Sequence, residues 1–236
     1  MGGLKKEYCP LPGTEKTVLG MTVSAFAAFP CISIIVIAVP AGAESGEAAA
    51  RRALPPGLQD AQQPEIVFVT GGPTRRASVH NALLRLNEYS PRYVLIQDGS
   101  RPWVSAQLIS RIMEAVRQHG AVIPVLPLVG TPKELNAPLV TAGDDETGAA
   151  IFVTRHLRRP NTVIAQTPQA FAFPQILSAH EKAALRESRG EHEYTDDAEV
   201  WGEFCGPVAV VPGESENRKI TYREDLGESH AKTLRL

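Results

Sequence analysis

Tyr93-Val94-Leu95-Ile96-Gln97-Asp98-Gly99-Ser100-Arg101-Pro102 is an apolar run of strand length that ends in a carboxylate, a glycine turn and an arginine. Ahead of it, residues 77–86 place Val79, Leu83 and Leu86 at spacings of four and three, which predicts an amphipathic helix. Behind it, Leu108, Ile112 and Val116 line one face of a second helix, and residues 122–126 form another apolar run. Residues 66–70 add a short buried strand, closed by Gly71-Gly72-Pro73. Strand and helix thus alternate, which predicts an α/β, Rossmann-like fold with a mainly parallel sheet covered by helices on both faces. In such a sheet, ligands collect at the carboxyl ends of the strands, where Asp98 stands.

The pattern changes at residue 131. Residues 131–165 lack a helical period, and short β-rich pieces at 139–141, 150–153 and 162–165 are separated by Gly143-Asp144-Asp145 and Arg159-Pro160-Asn161. This predicts a projecting β-arm, which cannot bury itself alone and calls for a partner subunit. Residues 173–184 and 197–204 read as helices, 208–211 as a strand and 223–234 as a final helix. The expected organisation is one domain over residues 1–236, with the arm at 131–165.

Composition narrows the class. With 236 residues, 43% hydrophobic and 21% charged, the chain is an ordinary globular one with enough length for a sizeable core. A net charge of −2 gives no general pull toward nucleic acid or an anionic membrane. Cys9, Cys31 and Cys205 are odd in number and far apart, which fits reduced thiols and a cytoplasmic location. The six histidines form no metal-binding spacing, so no protein-held metal is expected. Residues 18–43 carry no charge and end in Ala41-Gly42-Ala43, as a signal peptide or membrane span would. Pro30 splits that run, and residues 32–39 are densely β-branched, so a short helix, a break and a fully buried strand are expected instead.

Several polar groups sit where ligands bind. Asp98 can hold a sugar hydroxyl or a metal–phosphate complex, or simply bond the next backbone N–H groups. The planar fork of Arg101 suits phosphate oxygens, or pairs with Asp98 itself. The glycines of Gly71-Gly72-Pro73-Thr74-Arg75-Arg76-Ala77-Ser78 permit close approach of a ligand to a helix start, although Ser78 can equally cap that helix. Thr167 before Pro168, and Thr195 before Asp196-Asp197, read as caps by default. Lys219, on the β-like piece Lys219-Ile220-Thr221, reads as a solvated edge residue.

Taken in order, Gln97-Asp98-Gly99-Ser100-Arg101-Pro102, Thr167-Pro168-Gln169-Ala170-Phe171, Tyr194-Thr195-Asp196-Asp197-Ala198 and Asn217-Arg218-Lys219-Ile220-Thr221 resemble the 2-C-methyl-D-erythritol 4-phosphate cytidylyltransferase family. The resemblance implies a nucleotide-binding domain of the glycosyltransferase-A type whose β-arm builds a homodimer. It implies attack by the phosphate of methylerythritol phosphate on the α-phosphorus of CTP, carried with Mg²⁺, and release of pyrophosphate. Gly72 and Ser78 would face the cytosine. Asp98, Arg101, Thr167 and Lys219 would hold the polyol phosphate and the reacting phosphates. Thr195 and Arg159 would complete the substrate-phosphate pocket, Arg159 reaching over from the partner's arm. Lys6 resembles the catalytic lysine of the family's Pro-Lys-Gln-Tyr motif, and Lys219 would share the catalytic role. A ribitol-5-phosphate cytidylyltransferase is the neighbouring alternative.

Three departures accompany the resemblance. The family opens with a buried strand and a loop ending Gly-x-Gly-x-Arg-Met-Gly, and Met1-Gly2-Gly3 stands where that loop should finish. Without that segment the sheet is expected to close up or stay gapped, and the chain to bind CTP poorly, as a catalytically impaired or dead homologue would. Pro73 replaces a frequent Asp, and Gly130-Thr131-Pro132-Lys133 lacks the family's Asp ahead of its Thr.

Overall fold

The computed structural model describes residues 5–40, 44–58, 64–137, 150–222 and 224–226. Helix α1 (Val18–Ala27) starts where the Thr17 hydroxyl accepts the Gly20 N–H at 2.9 Å and donates to the Ala53 carbonyl at 2.6 Å. Strand β1 (Ile34–Val39) follows the Pro30 break, so residues 18–39 of the uncharged run are a helix, a turn and a strand, and Ala41-Gly42-Ala43 lies outside the described residues. Among the described residues, no helix is long and apolar enough to cross a membrane. The alternation continues through α2 (Glu44–Ala53), β2 (Glu65–Thr70), α3 (Arg75–Asn87), β3 (Tyr93–Ile96), α4 (Ala106–His119) and β4 (Ala121–Pro127). Leu108, Ile112 and Val116 of α4 are fully buried, as their spacing predicts. The Ser105 hydroxyl accepts the Leu108 N–H at one end of α4, and Gly120, at φ 76°, ends the helix in the left-handed conformation that favours glycine.

The second half differs more from expectation. A hairpin of β5 (Lys133–Leu135) and β6 (Val153–His156) is the described part of the arm, with a register shift between Glu134 and Leu135. The expected pieces at 139–141 and Gly143-Asp144-Asp145 lie outside the described residues. The piece at 162–165 is β7 (Val163–Ala165), which pairs with β4 in the main sheet rather than extending the arm. Strand β8 (Gln169–Ala172) was not expected: it is too short for a period to register, and its partners β3 and β4 lie far away in sequence. Helices α5 (Gln175–Ser188) and α6 (Asp197–Phe204) and strand β9 (Ala209–Pro212) complete the elements used below. Residues Lys219-Ile220-Thr221 form no strand: Ile220 is fully buried against Leu11 and Val18, and its N–H donates to the Ser100 carbonyl at 2.9 Å. Of the expected final helix, the described part is a single 3₁₀ turn, Glu224–Leu226.

The fold is α/β, and its pairing is mixed. The larger sheet runs β3-β8-β4-β7, with β9 parallel to β4 and β8 inserted antiparallel between β3 and β4. Strands β1 and β2 form a separate parallel pair. Two helical layers cover this arrangement. Leu83 and Leu86 of α3 and Ile176 of α5 pack with Val94, Ile96 and Phe171. Phe26 of α1 and Leu108, Ile109 and Ile112 of α4 pack with Val122 and Ala170. The same layers take in β1: Ile34 and Val36 join the first cluster and Ile35 the second. Strand β1 is nevertheless not the fully buried strand expected, since Ala38 is exposed and Ile34, Ile35 and Val36 are half-buried.

Candidate active site

Asp98 lies just beyond the carboxyl end of β3, and its N–H donates to the Thr167 hydroxyl at 3.1 Å. The turn closes through the Arg101 N–H on the Asp98 carbonyl, which brings the Arg101 guanidinium back to the Asp98 carboxylate at 3.3 Å. Two more cations converge there. Lys219 Nζ stands 3.1 Å from one Asp98 oxygen and Arg75 Nε 3.5 Å from the other. Burial pushes the Asp98 carboxyl up, but Lys219, Arg75 and Arg101 outweigh it and hold the group below the usual carboxylate range.

The loops carrying these groups are tied by buried amides. Asn217 donates to the Thr167 carbonyl at 2.8 Å, and its own carbonyl accepts from Arg101 at 2.9 Å and from Gln166 at 3.1 Å. Thr167 and Asn217 are buried, so this lattice is shielded from water and fixes the 217–219 segment against the 166–168 loop. Lys219 is thereby aimed from a rigid backbone although 41% of its side chain is exposed.

Arg75 extends the cluster inward. Its Nη2 donates to Asp197 at 2.8 Å, and His180 Nε2 lies 3.2 Å from the other Asp197 oxygen, close but not aligned as a hydrogen bond. Asp197 and His180 are both fully buried. Burial raises the Asp197 carboxyl, and His180 and Arg75 more than offset it, leaving the group below its ordinary value. Sequence reasoning passed over Arg75 and Asp197. The Arg75-Arg76 pair at a helix start was the available signal, but its partner stands 122 positions away.

The glycine loop adjoins this cluster. The Gly72 N–H donates to the Ser78 hydroxyl at 3.0 Å, and that hydroxyl donates to the Thr74 carbonyl at 2.9 Å. Ser78 is therefore not the cap of α3; Thr74 is, accepting the Ala77 N–H at 3.1 Å. A Cβ on Gly72 would fall 2.4 Å from that of Ala77, so the close turn requires glycine. Gly72, Arg75, Ser78 and Asp98 line one end of a cavity of about 670 Å³.

Three expected residues stand apart from the Asp98 cluster in the single chain. Lys6 lies on a 3₁₀ turn, Lys6–Tyr8, and its charge is felt at Asp225. Arg159, at the base of the arm, donates to the Val129 carbonyl at 3.4 Å. Thr195 is exposed, and its hydroxyl donates to Glu199 at 2.9 Å; the cap of α6 is Asp196, which accepts the Glu199 N–H at 2.8 Å. Among the described residues no three His, Cys, Asp or Glu side chains form a metal-holding group. The donor set fits a divalent cation carried on substrate phosphates, with Asp98 as a carboxylate from the chain.

Cations that outnumber carboxylates, aimed from fixed loops at a strand end beside a glycine turn, suit substrates rich in phosphate. The model of the family described as 2-C-methyl-D-erythritol 4-phosphate cytidylyltransferase matches residues 1–234. The chain is 34% identical to a bifunctional IspD/IspF enzyme of Mesorhizobium japonicum, over 95% of this chain and 49% of that protein. It is also 34% identical to the bifunctional IspD/IspF enzyme of Brucella abortus, over 94% of this chain and 50% of that one. The chain thus spans about half the length of the curated relatives it matches. Among solved structures, a 2-C-methyl-D-erythritol 4-phosphate cytidylyltransferase from Thermus thermophilus is similar with a TM-score of 0.67 and 34% identity, covering 94% of this chain and 90% of that one. The corresponding enzyme from Francisella tularensis gives a TM-score of 0.72 at 26% identity, covering 96% and 92%.

Proposed function

The chain belongs to the 2-C-methyl-D-erythritol 4-phosphate cytidylyltransferase family, and from that premise we propose that it transfers the cytidylyl group of CTP to 2-C-methyl-D-erythritol 4-phosphate in the non-mevalonate isoprenoid pathway. A phosphate oxygen of the polyol phosphate forms a bond to the α-phosphorus. The bond from that phosphorus to the β-phosphate oxygen breaks, and pyrophosphate leaves with the electron pair. Two anions must meet in this step, and charge builds on the phosphorus as they do. The observation that carries the reading is the convergence of Lys219, Arg101 and Arg75 on Asp98.

Lys219 and Arg101 meet the phosphate oxygens, which displace the Asp98 carboxylate from its cations. Asp98 and Thr167 then orient the polyol phosphate. Gly72 and Ser78 face the cytosine, next to the cluster on the same cavity wall. Lys6 swings from its turn toward the triphosphate. Thr195 and the arm's Arg159 close the substrate-phosphate pocket, Arg159 acting across a homodimer. Mg²⁺ carried with CTP would be held from the chain by Asp98 and would supply neutralisation of phosphate charge. The pre-placed cations and amides supply the remaining stabilisation without a protein nucleophile. The cytoplasm suits such a reaction and the free thiols of Cys9, Cys31 and Cys205.

The test follows CTP consumption by ³¹P NMR with methylerythritol phosphate or ribitol 5-phosphate as acceptor. A new diphosphate diester and pyrophosphate with the first acceptor support the reading. Preference for ribitol 5-phosphate would replace it with the neighbouring activity.

A further inference from the structure

The cations around Asp98 divide between its two oxygens. Lys219 Nζ and Arg101 Nε stand on one, at 3.1 and 3.3 Å, and Arg75 Nε stands on the other at 3.5 Å. They also differ in what else they hold. Lys219 is substantially exposed, and Arg101 gives its Nη1 to the Asn217 carbonyl, a neutral acceptor. Arg75 gives its Nη2 at 2.8 Å to Asp197, a fully buried carboxylate. Asp197 is itself fixed from several elements. It is the first residue of α6, whose cap Asp196 accepts from the Gln169 amide of β8 at 2.9 Å, while the Ala198 N–H donates back to Gln169 at 3.0 Å. Gln169 is buried, and His180 of α5, buried too, stands 3.2 Å from the Asp197 oxygen that Arg75 leaves free.

We propose that Arg75 is a positioning residue: clamped by Asp197, it stays on Asp98 when substrate phosphates draw Lys219 and Arg101 away, and so keeps that carboxylate in place with its second oxygen open to substrate. The proposal rests on the phosphate-transfer reading of the cluster. A guanidinium that left Asp197 for a phosphate would strand a buried carboxylate, which opposes the move strongly. Lys219 and Arg101 strand nothing, because the carboxylate they share keeps Arg75. The planar guanidinium suits this task, with Nε toward one carboxylate and Nη2 toward the other, whereas an ammonium is a single point charge on a flexible stem. Without Arg75, Asp98 would be held only by side chains that the substrate takes over. A group misplaced by about 1 Å at a reacting centre can cost on the order of 10²-fold in rate.

The experiment has two arms. The first, without substrate, follows hydrogen exchange of the arginine Nε–H groups by ¹⁵N NMR in native protein and in Asp197→Asn. The Arg75 and Arg101 Nε–H groups both face Asp98, so each reports on its own hold. Exchange at Arg75 should be at least tenfold faster in the variant, with Arg101 changed by less than about twofold; unchanged exchange at Arg75 would overturn the clamp. The second arm measures turnover of CTP with methylerythritol phosphate for Arg75→Lys, which keeps the positive charge in the cluster. A positioning role predicts kcat at least tenfold lower, with KM for both substrates within about threefold of native. A raised KM at native kcat would make Arg75 a plain anion-binding residue, and native values of both would leave it no role; either result would overturn the proposal. Failure of the functional reading shows separately, as absent turnover by the native chain, while the substrate-free arm still decides whether Asp197 holds Arg75.

Discussion

Lys219 and Asp197 both carry charge within the network around Arg75 and Asp98, yet their removal should read out differently. Lys219 is substantially exposed, so Lys219→Ala should change stability by less than about 1 kcal/mol. Asp197 is fully buried against Arg75 and His180, and Asp197→Ala should cost about 3 kcal/mol or more by leaving the Arg75 charge uncompensated. Urea unfolding compares the two, and equal midpoints would show that Asp197 is not the internal anchor. Asp98 adds a pH dependence. Its folded-state pKa is depressed below an unfolded value near 3.9, so its contribution is present above about pH 4 and is lost as pH falls from there through the folded value. Asp98→Asn should flatten that acid limb in urea midpoints followed with pH; an unchanged slope would mean that the three cations do not act on it. Asp98 and Arg101 were legible in the sequence because a strand and its turn place them together. Arg75 and Asp197 were not, because only the folded chain brings positions 75, 98 and 197 together.

Among the elements, those with a period of their own were the readable ones. The α4 stripe at residues 108, 112 and 116 falls inside its helix, Ala106–His119. Strand β8, four residues between distant partners, carries no such signal, and with it the antiparallel insertion between β3 and β4 stayed hidden. The loop before α3 shows a constraint that composition cannot reveal. Gly72 is fixed by Ala77 of the first helical turn, so Gly72→Ala should cost about 1 kcal/mol or more through overpacking. Gly130→Ala, with open space around its Cβ position, should be close to neutral. Thermal melts of the two variants check this, and a Gly72→Ala protein as stable as the Gly130→Ala one would contradict the close turn.

For the whole molecule, the arm and its surroundings carry the surface that asks for a partner. Phe152 is 64% exposed on the arm with Val153, and Val163 and Ile164 of β7 are exposed as well. Exposed apolar side chains of this size support the proposal that the chain dimerises through the arm. Light scattering at micromolar concentration should give a dimer mass for the native chain and a monomer mass for Phe152→Glu. A monomeric native chain would remove the route by which Arg159 reaches a partner's site.

The central claim is that the cations gathered on Asp98 act on transferring phosphates. Turnover of CTP with methylerythritol phosphate is therefore measured for native protein and Lys219→Ala. The account predicts a loss on the order of 10²-fold in turnover for Lys219→Ala, the scale of deleting one pre-organised electrostatic contact, with the melting temperature nearly unchanged. Equal turnover by Lys219→Ala and native protein would contradict it.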